Sequence, residues 1–204
     1  MHLPLATPLT RLFILLLALG ACVFSGCSQK ESPDAAKSAK SVKSDNIALP
    51  TIEAQAKGFS VGAMMSNQVV YVFFDPQCPH CGHLWNASRP LHSKLRFVWI
   101  PVAWINAASL PQGATLLTAA DPLARMTEHE TALLAGSGGI SASSSIAPAI
   151  EQSIQANTRL LNSFGAESVP FIVARHAASG QTIHHQGALT TAALASFLGI
   201  DAAQ

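Results

Sequence analysis

The strongest constraint in this chain is an apolar run, Val69-Val70-Tyr71-Val72-Phe73-Phe74, that passes through Asp75-Pro76-Gln77 into Cys78-Pro79-His80-Cys81. Successive β-branched and aromatic residues suit a strand covered on both faces. Asp75-Pro76 ends that strand. Pro79 fits the first turn of a following helix, where a missing N–H costs nothing. A buried strand that runs into C-x-x-C at the mouth of a helix puts a thiol pair at the edge of the core.

At the start of a helix the first sulfur faces free N–H groups and the positive end of the helix dipole, which stabilises its thiolate. Cys78 is therefore the expected nucleophile, and Cys81, one turn later, the shielded resolving thiol. His80, between them, adds positive potential, and Pro79 stiffens the turn. An inert structural disulfide would close too small a loop to contribute much against chain entropy. A copper or zinc module is the alternative from another class: Cys78, Cys81 and His83, with His80 adjacent and His184-His185 approaching from elsewhere. Covalent haem is disfavoured because Gly82, not His, follows Cys81. No cofactor is expected.

Val169-Pro170, just before Phe171-Ile172-Val173, is the second signal. A cis-proline facing the cysteines would leave the Val169 backbone edge free to pair with a substrate strand. The plainer alternative is a trans proline opening a strand.

The N-terminal part reads as targeting. Arg11 precedes the apolar run Leu12 to Leu19, short of the ~20 residues a membrane span needs. Phe24-Ser25-Gly26-Cys27-Ser28 fits an acylation site at Cys27, with Leu19-Gly20-Ala21-Cys22 competing and plain cleavage without lipid as the bland outcome. The expected organisation is a signal over 1–26, a Ser-, Lys- and Ala-rich tether over 27–48, and one body over 49–204. Cys78 and Cys81 would then be the only thiols in the mature chain, which suits a functional pair better than a multi-disulfide scaffold. With 11% charged residues and a formal net charge of +1, no basic stripe exists, which argues against nucleic acid as a partner.

Periodicity gives the rest of the order. Residues 49–65 suit a short helix or an edge strand. A helix runs from the cysteines toward Arg89-Pro90, and Leu95 to Val102 is a second strand. Gly113–Ala120, Pro122–Leu134 and Ile146–Phe164 read as helices, with breaks at Gly136-Ser137-Gly138-Gly139 and Ser141 to Ser145. Phe171–Arg175 and Thr182–Gln186 form a hairpin around Ser179-Gly180, and Thr190–Leu198 is a final helix stopped by Gly199. This order, β-α-β, a helical insert over about 107–164, then β-β-α, is an α/β chain with a thioredoxin-like fold carrying a helical insertion. Trp85, Trp99 and Trp104 are expected to pack, His92, His129 and His176 to lie at the surface, and Asp75 to cap its loop.

Four stretches carry a family resemblance: Tyr71 through Cys81, Arg89-Pro90, Ala120-Asp121-Pro122, and Asn162-Ser163-Phe164-Gly165 leading to Val169-Pro170. Over about residues 66–200 the chain resembles the catalytic domain of Dsb-type periplasmic thiol:disulfide interchange proteins of the DsbG/DsbC branch. The resemblance implies Cys78 as attacking cysteine, Cys81 as resolving cysteine and Pro170 as the cis-proline. It implies exported protein thiols or disulfides as substrates and a membrane redox partner. Three features depart from that branch. A polar tether stands where its isomerases carry a dimerisation domain, so a monomer held at the membrane by the lipid is expected. The Pro79-His80 dipeptide and Val169 before the proline both resemble the strongly oxidising DsbA type. Oxidase and reductase or isomerase directions therefore both remain open. Ser28 after Cys27 favours the outer membrane by family analogy.

Overall fold

The computed structural model describes residues 47–201. The stretch read as a signal, Cys22, Cys27 and most of the stretch read as a tether lie outside the described residues. Ile47 is buried in the core, so packing begins within the stretch assigned to the tether.

Helix α1 (Leu49–Gln55) and strand β1 (Phe59–Gly62) come first. Residues 49–65 thus hold both elements that the pattern left as alternatives. Then follow β2 (Val69–Phe74), α2 (Pro79–Ser88), a single 3-10 turn (Arg89–Leu91) and β3 (Arg96–Pro101). Pro90 falls in that turn, as its missing N–H requires. Helices α3 (Ser109–Leu117), α4 (Pro122–Leu134) and α5 (Pro148–Ser163) form the insert. Strands β4 (Phe171–Arg175) and β5 (Thr182–Gln186) and helix α6 (Thr191–Leu198) complete the described chain.

The strands form one sheet in the order β1-β3-β2-β4-β5. β2 and β3 run parallel, with Val70 opposite Phe97 and Phe73 opposite Ile100. A parallel pair needs a crossover, and α2 supplies it. Every other pairing is antiparallel. β2 is central, and Val70 through Phe74 are buried, which accounts for its lack of apolar–polar alternation. Trp85 from α2 packs edge-on against Trp99 from β3 at 5.2 Å between ring centres, and Phe74 meets Trp99 at 5.6 Å. Trp104 packs at the margin of this core.

Caps explain which boundaries were legible. Asp121 accepts from the Ala124 N–H at 3.0 Å with Pro122 in the first turn of α4, and Thr190 accepts from the Ala193 N–H at 3.3 Å to open α6. Gly199 stops α6 at φ +70°, a conformation that favours glycine. α3 starts at Ser109 rather than Gly113, with no side-chain cap and with the Ser109 hydroxyl donating to the Asp75 carboxylate. α5 starts at Pro148 rather than Ile146, with the proline in its first turn.

One surface assignment is overturned. His129 is fully buried, because α4 packs against α2 and turns this ring toward Pro76. His92 and His176 are half-buried rather than exposed. His92 lies against Trp85 and Phe97, and burial, aided by the Arg89 charge, pulls its pKa down to about 4.

Candidate active site

Cys78 is the N-cap of α2, in extended geometry at φ −97° and ψ 108°, with Pro79 following in the first turn. Its N–H donates to Asp75 O at 3.0 Å, and its own carbonyl accepts from the Cys81 N–H at 2.9 Å. Both cysteines are free thiols. Cys78 is 5% exposed and Cys81 fully buried.

Burial and hydrogen bonding split the two acidities. The Cys78 thiol is pulled down from 9.0 to about 6, first by the hydrogen bond from the Cys81 thiol and then by the N–H groups of Cys81 and His80 and the His80 charge. Burial opposes these effects. Cys81 is pushed well above the ordinary thiol value, mainly by burial and then by the hydrogen bond it gives to Cys78. The partner thiol thus outweighs the His80 charge in stabilising the Cys78 thiolate.

The Val169–Pro170 peptide is cis. The Cys78 thiol donates to the Val169 carbonyl at 3.4 Å, which brings the two sequence signals together across 91 positions. His80 and His83 lie exposed along α2, their ring centres 6.2 Å apart. His184 and His185 are elsewhere: His184 stacks on Phe171 and His185 packs near Phe197, each at 5.7 Å. Among the described residues no group of three or more His, Cys, Asp or Glu side chains is placed to hold a metal ion.

Asp75 is fully buried and organises the approach to the site. Its carboxylate accepts from the N–H groups of Gln77, Trp104 and Ile105 at 2.8, 2.6 and 2.9 Å, and from the Ser109 hydroxyl at 2.7 Å. Its expected role as loop cap holds, extended to a second loop.

Three residues in this neighbourhood went unnoticed in the sequence. The Gln77 amide donates to Gln112 Oε1 at 2.6 Å and to Gly138 O at 2.8 Å. Gln112 donates in turn to Gly138 O and Ile140 O. Glu130, on α4 beside His129, is 1% exposed, with burial and then the Cys78 charge holding its pKa up at about 9. No local pattern marks these residues, because the contacts join the insert to the cysteine loop across long stretches of chain.

No family model matches the chain. The chain is 31% identical over 147 residues to the thiol:disulfide interchange protein DsbG of Pseudomonas aeruginosa, covering 71% of this chain and 56% of that protein. It is 28% identical over 109 residues to DsbG of Escherichia coli, covering 51% of this chain and 42% of that protein. The chain therefore spans about half the length of the curated relatives it matches. Among solved structures, the catalytic domain of Proteus mirabilis ScsC superposes with a TM-score of 0.56 at 15% identity, covering 73% of this chain and 93% of that one. α-DsbA2 from Wolbachia pipientis gives 0.55 at 19% identity, covering 73% and 91%. A periplasmic thioredoxin-like protein from Salmonella enterica serovar Typhimurium gives 0.57 at 15%, covering 74% and 95%. At these identities the superpositions speak for the fold alone, and it is thioredoxin-like. In sequence, the chain is similar to the DsbG thiol:disulfide interchange proteins over about half of their length.

Proposed function

We propose that this protein is a periplasmic thiol:disulfide oxidoreductase that exchanges disulfides with exported proteins through Cys78 and Cys81. The observation that carries this reading is the geometry of the pair: Cys78 caps α2 with its thiol 3.4 Å from the carbonyl oxygen that precedes cis-Pro170, and Cys81 lies fully buried one turn on, where its hydrogen bond pulls Cys78 down to about 6. A thiolate at neutral pH next to a buried thiol is the pairing that disulfide exchange requires.

In the oxidising direction a substrate thiolate attacks Cys78 Sγ of the Cys78–Cys81 disulfide, and Cys81 leaves with the electron pair. A second substrate thiolate attacks the substrate sulfur of the mixed disulfide, and the Cys78 thiolate departs. The substrate gains a disulfide, and the protein pair gains two electrons. The reverse sequence reduces or isomerises a substrate disulfide. Val169 is the residue whose backbone would meet an extended substrate strand, with Pro170 shaping that edge and His80 and Pro79 tuning the sulfur.

Stabilising the Cys78 thiolate stabilises the reduced pair and so makes the disulfide the more oxidising. Its value of about 6 lies between the ~3.5 of DsbA and the ~7 of thioredoxin. The value lies nearer that of thioredoxin, so the direction rests on the Pro79-His80 dipeptide and Val169, whose resemblance to the oxidising type favours donation of the disulfide, with a membrane redox partner restoring it. The test is the reduction potential of the pair in glutathione buffers, read by tryptophan fluorescence. A potential less negative than about −200 mV supports the oxidising direction, and a value at or below it points to a reductase or isomerase fed by a membrane electron donor. Loss of all exchange in Cys78→Ser is required in either direction.

Acylation at Cys27 would anchor the protein at the membrane, in the outer membrane given Ser28. Radiolabelled palmitate incorporated by the wild type but not by Cys27→Ser would support the anchor. Label retained in Cys27→Ser would move the site to Cys22.

A further inference from the structure

The segment that carries Val169 runs from Phe164 to Phe171, whose rings stack with centres 6.4 Å apart. Gly165 turns the chain at φ +70°, and Glu167 and Ser168 lie exposed before the cis peptide. Backbone bonds hold the two ends: the Gly165 N–H donates to Asn162 O at 3.0 Å, and the Gly187 N–H to Pro170 O at 2.8 Å. A side chain holds the middle. Gln186 Oε1 accepts from the Glu167 N–H at 2.8 Å and from the Ser168 N–H at 3.1 Å, with the Ser168 hydroxyl more distant at 3.5 Å. Gln186 is the last residue of β5, opposite Phe171. The period of two along that strand puts it on the same face as His184, whose ring stacks on Phe171. From there its amide reaches past the start of β4 to the two residues before Val169.

The Val169 carbonyl accepts from the Cys78 thiol at 3.4 Å, and the Val169 N–H has no hydrogen-bond partner among the described residues. A free main-chain donor at this place is what an extended substrate strand would take. We propose that Gln186 is a positioning residue for substrate, its amide oxygen fixing the edge at Val169 on which a substrate strand pairs beside the Cys78 sulfur. This role rests on the thiol:disulfide reading above.

The energetics of the contact favour positioning over plain support. Exposed N–H groups such as those of Glu167 and Ser168 are satisfied by water at little cost, so binding them adds little to stability. A glutamine gives up rotamer freedom to hold one geometry. What results is a defined backbone immediately before the pairing edge. Two consecutive N–H groups converge on one oxygen, which constrains the direction of the chain into Val169 as well as its place. An edge already held in its bound shape spares the substrate the cost of ordering it. Gln186 is not among the groups that lower the Cys78 thiol, so its loss should act on binding and leave the reactivity of the sulfur alone.

The test presents the full chain, as its Cys78–Cys81 disulfide, to two reductants. One is an unstructured peptide with two cysteines, which has a backbone to pair; the other is 2-mercaptoethanol, which has none. Wild type is compared with Gln186→Met, which keeps the length and loses the acceptor, and with Gln186→Glu, which keeps acceptor oxygens. Gln186→Ala stands in where methionine disturbs the packing of β5. The expected result for the Met variant is a peptide KM raised about tenfold, with kcat and the rate with 2-mercaptoethanol within about twofold of wild type. The Glu variant should return the peptide KM to near the wild-type value. An unchanged peptide KM in the Met variant would overturn the proposal, as would a Glu variant no better than Met. A parallel fall with both reductants in the Met and Ala variants overturns it too, because it marks a damaged site rather than a lost edge. Any of these beside an active wild type leaves the oxidoreductase reading standing, whereas a wild type that reacts with neither reductant sinks both.

Discussion

His129 Nε2 lies 2.7 Å from the carbonyl oxygen of Pro76, two residues before Cys78, while its Nδ1 accepts from the Ile140 N–H at 3.2 Å. One buried ring thus ties together α4, the end of the glycine-rich loop and the turn that presents the first thiol. The two partners fix the neutral tautomer with the proton on Nε2. Replacing the ring by an apolar group leaves a buried N–H and a buried carbonyl without partners. His129→Leu should therefore lose roughly 2–4 kcal/mol of stability in urea unfolding. It should also expose Cys78 to faster alkylation. Wild-type stability in that variant would mean that the Gln77–Gln112 amide network holds the loop by itself.

Acid should weaken the fold through two histidines. Burial lowers both His129 and His92 below the ordinary 6.5, His92 to about 4. A depressed folded-state value means that the unfolded chain takes up the proton first as pH falls. The associated stability is complete above about 6.5 and declines below it, reaching its floor for His92 near 4. Urea midpoints measured between neutral pH and pH 4 should fall over this window, and His92→Phe should flatten part of the fall. A midpoint independent of pH there would mean that neither ring is held neutral by the fold.

How much of this site was legible in the sequence depends on the range of each contact. The strand and the cysteines declared themselves by local pattern, because an apolar run and a C-x-x-C are each short, whereas the Val-Pro before a strand left cis and trans open. Asp121 with Pro122, and Thr190 with Gly199, marked helix ends for the same reason. β1 was ambiguous because four residues at a sheet edge carry too little alternation to separate strand from helix. His129 and Glu130 were illegible. Polar residues mid-helix normally face solvent, and only the docking of α4 on α2 turns them inward. The thiolate's main support was also hidden. The helix start and His80 were plain in the sequence, but the leading hydrogen bond comes from the Cys81 thiol itself.

That hydrogen bond makes Cys81 a tuning residue as well as a resolving one. In Cys81→Ala the Cys78 thiolate loses its strongest partner while keeping the helix N–H groups and His80. The midpoint of its alkylation rate should move up from about 6 toward 9.0. Cys81→Ser keeps an O–H donor and should lie between wild type and Cys81→Ala. If all three proteins share a midpoint near 6, the N–H groups and His80 suffice, and the thiol–thiolate contact is incidental.

Burial of the Glu130 carboxyl should cost stability. Its folded-state pKa is raised from 4.5 to about 9, so the fold is relatively favoured below 4.5 and loses ground as pH rises toward 9. At neutral pH the penalty is on the order of 3 kcal/mol. Glu130→Leu should therefore be the more stable protein at pH 7 or 8, with an advantage that shrinks in acid. Equal stability at all pH values would mean that the carboxyl is not held protonated by burial.

Gly82 carries the sharpest steric consequence of this arrangement. In an ordinary helix Gly→Ala gains about 0.5–1 kcal/mol, because alanine has less backbone freedom to lose. Here the new methyl would lie 2.7 Å from Glu130 Oε2 and 3.1 Å from Leu134 Cγ, so α4 has to move or the carboxylate has to turn away. Gly82→Ala should cost roughly 1–3 kcal/mol in the wild-type background. Combined with Glu130→Ala, which empties the nearest position, part of that cost should return. The double-mutant cycle is expected to show a coupling of about 1 kcal/mol or more. Additive effects would place the strain on Leu134 instead and separate Glu130 from the back of the cysteine helix.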